Sequence, residues 1–336
     1  MPASGSPPFT LDHQSIWSCA MSNDCSGHRW ERRTLERQRL CAGTGPDGRE
    51  TGMPFCNRAI VFGAAGGMGR MFRDRLDAAG FETLAVDITP GAGLVSADLT
   101  ALSRDMRIAL KAADLVILAV PDAIACKAAA QVAGAMSEDA TLVDCTSVKA
   151  PYVAALGNAG RCGLVSINPL FGPGLDWTGR SIVVTELRRP AYPEDLTGFL
   201  ERFGLNIIRL DSEQHDRLAA EAQAQLHAAL MAFIASVSAD GALFDTPPNR
   251  VMRMLSARIL SGEAHVYWKI QASNPFASAA RQKLIDALKT LDDICEADDA
   301  TAFSGFLEKA RTNLGAPATA LSEDCVQLFS RLDSAR

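Results

Sequence analysis

Between Arg58 and Asp211, short apolar runs alternate with stretches whose apolar residues recur every three or four positions. RAIVFG, FETLAVD, ADLVILAVP, ATLVDCTS and GLVSINPL have the length and β-branched content of buried strands. Between them lie segments such as MGRMFRDRLDAAG, where Met68, Met71, Phe72 and Leu76 share one face of a helix. Strands and helices in alternation predict a mostly parallel sheet covered on both faces. RSIVVTEL and LNIIRLD add further strands, separated by a helix that starts near Pro193. The pattern changes after Asp211: from Ser212 onward no run reads as a strand. One long helix, Glu213 to about Ala239, sets Leu226, Leu230, Phe233 and Val237 on a single stripe, and more helices follow. The predicted organisation is therefore an α/β domain over residues 57–211 followed by an all-α domain over 212–336. Helices with unpartnered apolar stripes pack on themselves or on another copy, which predicts a homodimer through the second domain.

The chain ahead of residue 57 behaves differently. It opens PASGSPP, contains CAGTGPDGRETG and shows no sustained period, so residues 1–56 are expected to be a disordered extension. No apolar signal-peptide core is present, and a start at Met53, directly ahead of the first strand, would explain the preface. Cys19, Cys25 and His28 complete no four-ligand pattern, so no metal is expected. Composition adds exclusions. At 336 residues, with 48% hydrophobic and 21% charged residues and no apolar run of membrane-spanning length, the sequence is that of a cytosolic globular protein. A net charge of -6 offers no phosphate-neutralising excess, which argues against nucleic acid and for a small-molecule ligand. Nine cysteines without repeating spacing fit reduced thiols.

FGAAGGMGR joins the first strand to the first helix. In the G-x-G-x-x-G register Ala64 takes the first glycine position, Gly66 and Gly69 the others, with Gly63, Gly67 and Met68 completing the loop. Glycines here allow a tight turn and let backbone N–H groups at a helix N-terminus approach a pyrophosphate. Asp87 ends the next strand, where an acid binds ribose hydroxyls, and no basic residue follows it to meet a 2′-phosphate. The reading is a dinucleotide site, NAD rather than NADP, against the alternative of a glycine-rich structural turn. Val120 and Pro121 end the neighbouring strand and belong to the same site.

Ligands of open α/β sheets sit beyond the carboxyl ends of the strands. Ser147, in TSVK, and Asn168, in NPLFGP, follow two such ends and belong on the rim that carries the glycine loop. Their structural alternatives are a helix cap for Ser147 and an Asx-type turn for Asn168.

GAAGGMG, LVDCTSVK, INPLFGPG, SEQHDRLAAEAQAQLH and TPPNR, in that order, resemble the prephenate dehydrogenases, which oxidatively decarboxylate prephenate in tyrosine biosynthesis. The resemblance runs from about Arg58 to the C-terminus. It implies a Rossmann domain joined to a helical dimerisation domain, with Ser147 hydrogen-bonding at the reacting carbon. It further implies that His227 lines the substrate pocket, that Arg250 pairs with a substrate carboxylate, and that Gln223 also contacts substrate. His215 is expected to order the start of the long helix. The family pattern carries histidine as general base where this chain has Asn168. A carboxamide can hydrogen-bond but not titrate near neutral pH, and a lost general base typically costs about 10²- to 10⁴-fold in rate. Either His227 takes over the proton or the substrate differs. In 4-amino-4-deoxyprephenate, the precursor of 4-aminophenylalanine in antibiotic pathways, the amine lone pair itself drives hydride departure, and Asn168 need only accept a hydrogen bond. Arogenate is a third candidate substrate. The competing readings are a dimeric NAD-binding sensor that has lost its base and a Rossmann hydroxyacid or imine reductase.

Overall fold

A computed structural model describes residues 58–238 and 245–334. The expected extension over 1–56, with Cys19, Cys25 and His28, lies outside the described residues.

Eight strands form one sheet: β1 (Arg58–Phe62), β2 (Glu82–Asp87), β3 (Val95–Ser96), β4 (Leu115–Leu118), β5 (Thr141–Asp144), β6 (Gly163–Pro169), β7 (Ser181–Arg188) and β8 (Asn206–Arg209). Their order is β3-β2-β1-β4-β5-β6-β7-β8. All pairings through β6 are parallel; β7 runs antiparallel to β6, and β8 parallel to β7. The two-residue β3 carries no strand-length pattern of its own and is absent from the sequence reading. It exists because its register pairs Val95 with Val86 and Ser96 with Asp87.

Alternate side chains of the buried strands feed two cores. Ile60, Phe62, Val116, Leu118 and Leu142 point to one face, where they meet helices α2 (Arg104–Ala112), α3 (Asp122–Ala135) and α4 (Lys149–Leu156). Val61, Ile117, Val143 and Val165 point to the other, under α1 (Gly67–Ala78) and α5 (Pro193–Arg202). Both faces being covered explains the near-continuous apolar runs. Trp177 is buried on the second face, with Phe72, Phe199 and Phe203 edge-on around it at centroid distances of 5.5, 6.2 and 5.8 Å. This architecture is a Rossmann-type sheet. Its strand order reverses between β1 and β4, so the crevice for a ligand opens at their carboxyl ends, where Gly63 and Val120–Pro121 stand.

The chain divides into two compact units, one ending at His215 and the other beginning at Asp216. The described helices after β8 are α6 (Ser212–Ala219), α7 (Leu226–Ser236), α8 (Pro247–Leu260), α9 (Ala264–Ala272), α10 (Ala277–Glu296), α11 (Ala300–Leu314) and α12 (Ala318–Ser334). The expected single helix from Glu213 to Ala239 is thus corrected. Residues Ala220–Gln225 form a π-helical segment between α6 and α7, and Val237 ends the run in extended conformation. A π turn shifts carbonyls off the α pattern, and Gln271 Nε2 donates to the carbonyl of Ala224 at 2.7 Å. The predicted stripe assumed unbroken 3.6-residue turns. In the structure Leu230 is buried, with Ser256 Oγ donating to its carbonyl, whereas Leu226 is half exposed on the single chain. Trp268, Leu288 and Val326 are also largely exposed on this unit. No helix among the described residues is long and apolar enough to cross a membrane.

Candidate active site

The glycine loop is built by close backbone approaches. Gly63 has φ +77°, and a Cβ there would strike the carbonyl of Ala119 at the end of β4. Gly69 packs against the carbonyl of Gly63 with no room for a side chain. The left-handed residue is therefore Gly63, and Asp298 is the one non-glycine with positive φ among the described residues. That is why Ala64, fully buried, is tolerated at the first fingerprint position. Gly66 N–H donates to Gly63 O at 3.0 Å, and α1 begins at Gly67 without a side-chain cap. Its first-turn N–H groups, from Gly67, Met68 and Gly69, have no intrahelical acceptors and suit an anion. Asp87 closes the loop from β2: its carboxylate accepts from Ala65 N–H at 2.9 Å and Thr89 N–H at 2.8 Å. A Cβ on Gly67 would lie 2.9 Å from Pro173, so the FGPG turn rests directly on the loop. A bare-backbone cradle at a helix N-terminus, with a carboxylate at its mouth, fits a dinucleotide.

Beneath the rim lies a buried polar cluster. Asp144, at the end of β5, is inaccessible, and its Oδ1 accepts from Thr146 N–H (2.9 Å), Thr146 Oγ1 (2.6 Å) and Ser166 Oγ (2.9 Å). Burial pushes its carboxyl up from the usual range, against the pull of the Lys149 ammonium and these donors. Lys149, also inaccessible, donates from Nζ to the carbonyls of Thr146 (2.7 Å) and Ile167 (2.8 Å). Each carbonyl belongs to the residue just before a candidate: Ser147 and Asn168. Ser147 is half-buried, and its N–H approaches Asp122 Oδ2 at 3.3 Å. Val148, not Ser147, occupies the N-cap of α4, and no side chain caps that helix. The capping alternative for Ser147 therefore fails.

Asn168 lies inside β6 rather than after it, in register with Val183 of β7, and is buried. Its Nδ2 lies 3.0 Å from Nε2 of His215, also buried. The N–H of Leu170, which an Asx turn would direct to the Asn168 side-chain oxygen, donates instead to Ser181 O at 3.0 Å, so the Asx alternative fails too. The start of α6 is held by a reciprocal pair of bonds. Asp211 Oδ1 accepts from Gln214 N–H at 2.8 Å, and Gln214 Oε1 accepts from Asp211 N–H at 3.1 Å. This reciprocal capping box starts α6, and the imidazole of His215 faces Asn168.

In the helical unit, Gln223 sits in the π segment and His227 one turn on. Gln223 Oε1 and His227 Nδ1 are buried atoms with no hydrogen-bond partner among the described residues. The His227 ring meets Tyr267 edge-on, centroids 5.2 Å apart, and Tyr267 packs over Gly262, the turn after α8. Burial lowers the His227 pKa below its ordinary 6.5. Arg250 lies in the first turn of α8. Its Nη1 donates to the carbonyl of Leu332 at 3.2 Å, and it shares a cavity of about 470 Å³ with Ile234 and Arg253. α7 meets α8 where Ser256 Oγ donates to the Leu230 carbonyl at 3.3 Å.

The family model for the prephenate dehydrogenase nucleotide-binding domain matches residues 84–183. The 4-amino-4-deoxyprephenate dehydrogenase of Streptomyces pristinaespiralis is 35% identical over 289 residues, covering 82% of this chain and 97% of that protein. The chain belongs to the prephenate dehydrogenase family. A probable arogenate/prephenate dehydrogenase of Methanocaldococcus jannaschii is 24% identical over 272 residues, 77% of this chain and 61% of that protein. Among solved structures, prephenate dehydrogenase from Aquifex aeolicus superposes with a TM-score of 0.62 at 18% identity, over 76% of this chain and 98% of that one. The same enzyme in complex with hydroxyphenyl propionate and NAD+ gives 0.60, also at 18% identity, over 76% of this chain and 96% of that one. These structural likenesses establish the fold.

Membership makes this chain an oxidoreductase carrying the family's nucleotide-binding domain. Within the first unit the structure brings together the loop residues, Asp87, Val120, Pro121, Ser147 and Asn168 around the carboxyl ends of β1 to β6. In the second, Gln223 and His227 follow one another along the π segment and α7, and Arg250 stands in the first turn of α8. Because burial disfavours the imidazolium, His227 should titrate below pH 6.5 in a histidine NMR titration assigned with a His227→Gln variant; a midpoint at or above 6.5 would contradict the environment described.

Proposed function

We propose that this enzyme oxidatively decarboxylates 4-amino-4-deoxyprephenate in preference to prephenate, with NAD as oxidant. The observation that carries the reading is Asn168: a buried carboxamide at the rim position where the resemblance places a general base. When bound, oxidised NAD accepts the hydride. Its pyrophosphate is assigned to the N–H groups of Gly67, Met68 and Gly69, and its ribose to Asp87, whose charge would repel a 2′-phosphate and so favours NAD over NADP. Ser147 is assigned to the reacting carbon of the substrate.

The electron balance favours the amine. As hydride leaves C4 of the ring, the substituent's lone pair forms a double bond to that carbon; loss of CO₂ then returns an electron pair to the ring and restores aromaticity. A hydroxyl needs a base to support that charge, whereas an amine is the stronger donor and gives an iminium unaided. Its N–H bonds strengthen toward an acceptor as charge develops, and a fixed carboxamide oxygen meets that need without taking a proton. The relative from Streptomyces pristinaespiralis, named for this substrate, supports the same reading.

From the helical unit, His227 and Gln223, with their unpartnered buried atoms, are proposed as substrate contacts. For the substrate's carboxylate the proposed partner is Arg250, in the first turn of α8, as the resemblance implies. A second copy of the chain is proposed to cover the exposed apolar side chains of this unit.

Three measurements check these assignments. With NAD, NADH formation should be faster by tenfold or more in kcat/KM for 4-amino-4-deoxyprephenate than for prephenate or arogenate, and Asn168→His should raise the prephenate rate. No turnover of any of the three would favour a cofactor-binding sensor. Arg250→Ala should raise KM at least tenfold with a smaller effect on kcat, and an unaltered KM would remove its assigned role. Sedimentation equilibrium should give twice the 35.8 kDa chain mass; a monomer at micromolar concentration would remove the dimer.

A further inference from the structure

Asn168 is ambidentate: its amide can present either oxygen or nitrogen to a ligand, and which one faces outward sets what it recognises. We propose that His215 is a positioning residue that selects the oxygen, making this chain's preference for an amine-bearing ring a property of the Asn168–His215 pair rather than of Asn168 alone. The inference rests on the reading of Asn168 as acceptor for the C4 amine.

The geometry is specific. Nδ2 of Asn168 stands 3.0 Å from Nε2 of His215, and both side chains are buried, at 6% and 2% exposure, where water does not compete. An amide nitrogen only donates, so Nε2 accepts, which requires a neutral imidazole with its proton on Nδ1. The amide oxygen is then turned away from His215. Rotating the amide would set its oxygen against an unprotonated nitrogen, lone pair against lone pair, and lose a buried hydrogen bond. His215 is held in turn by the local chain: Asp211 and Gln214 lock the first turn of α6, and the His215 N–H donates to Asp211 O at 2.9 Å. Asn168 is held by the β6–β7 ladder and by Lys149 on the preceding carbonyl. Two separately anchored backbones thus hold the amide and the imidazole at hydrogen-bonding distance.

For a hydroxyl the orientation matters little, because a hydroxyl both donates and accepts. For an amine whose lone pair is committed to the ring it matters greatly, because that nitrogen can only donate. Loss of His215 should therefore fall on the amine substrate and on kcat.

The test uses the full chain with His215→Phe and His215→Gln, the latter offering Oε1 near the place of Nε2. His215→Phe should lower kcat for 4-amino-4-deoxyprephenate tenfold or more and leave prephenate within threefold, collapsing the preference; His215→Gln should restore it to within threefold of wild type. NAD affinity and the melting temperature control for folding. Equal losses on both substrates, or an unchanged preference, would overturn the proposal. Independently of any substrate, ¹⁵N-histidine NMR at pH 8 should show Nε2 of His215 unprotonated and its shift altered by Asn168→Leu. A protonated Nε2 means the amide is turned the other way, and the inference fails. If Nε2 is unprotonated but the wild type prefers prephenate, the substrate reading falls and the amide orientation stands.

Discussion

An ammonium ion with no access to water governs the geometry of the rim. The effective penalty for burying such a charge is several kcal/mol unless polar partners converge on it. Lys149 meets that requirement through the carbonyls of Thr146 and Ile167, with the Asp144 carboxylate nearby. Those groups lie at the ends of adjacent parallel strands, in a register that pairs Asp144 with Ser166. Holding them around one nitrogen holds the ends of β5 and β6 together. Ser147 and Asn168 are the next residues along each chain segment, so their separation follows from the solvation of a buried lysine.

The same segments meet the dinucleotide loop. Pro173, in the turn after β6, occupies the space that a side chain on Gly67 would fill, and Gly63 presses against the end of β4. The rim is thus continuous: glycine loop, β4 terminus, TSVK segment and FGPG turn touch through backbone and small side chains. On it, exchanging an imidazole for a carboxamide changes the chemistry available without changing the scaffold. A base is removed, and an oriented dipole is left in its place.

Much of this was legible in the chain. The apolar runs located seven of the eight strands because a parallel sheet buried on both faces demands them; β3 escaped because two residues carry no period. Glycine spacing located the loop, since only glycine tolerates those approaches, and the signature DSEQ is a readable capping box at Asp211. The π segment was not legible, because a widened turn depends on a partner such as Gln271 arriving from another helix. Arg250 was named from a motif, but its bond to the Leu332 carbonyl depends on the packing of α12 against α8.

The sequence by itself determined the strand–helix alternation, the dinucleotide loop and the replacement of a base by Asn168, because periodicity, glycine and residue type are local properties of a chain. It left Asn168 and His215 as unrelated residues in separate motifs. Only the tertiary structure decided that they are partners, because a hydrogen bond between distant segments depends on where β6 ends and α6 begins in space, and that bond is what gives the amide a direction.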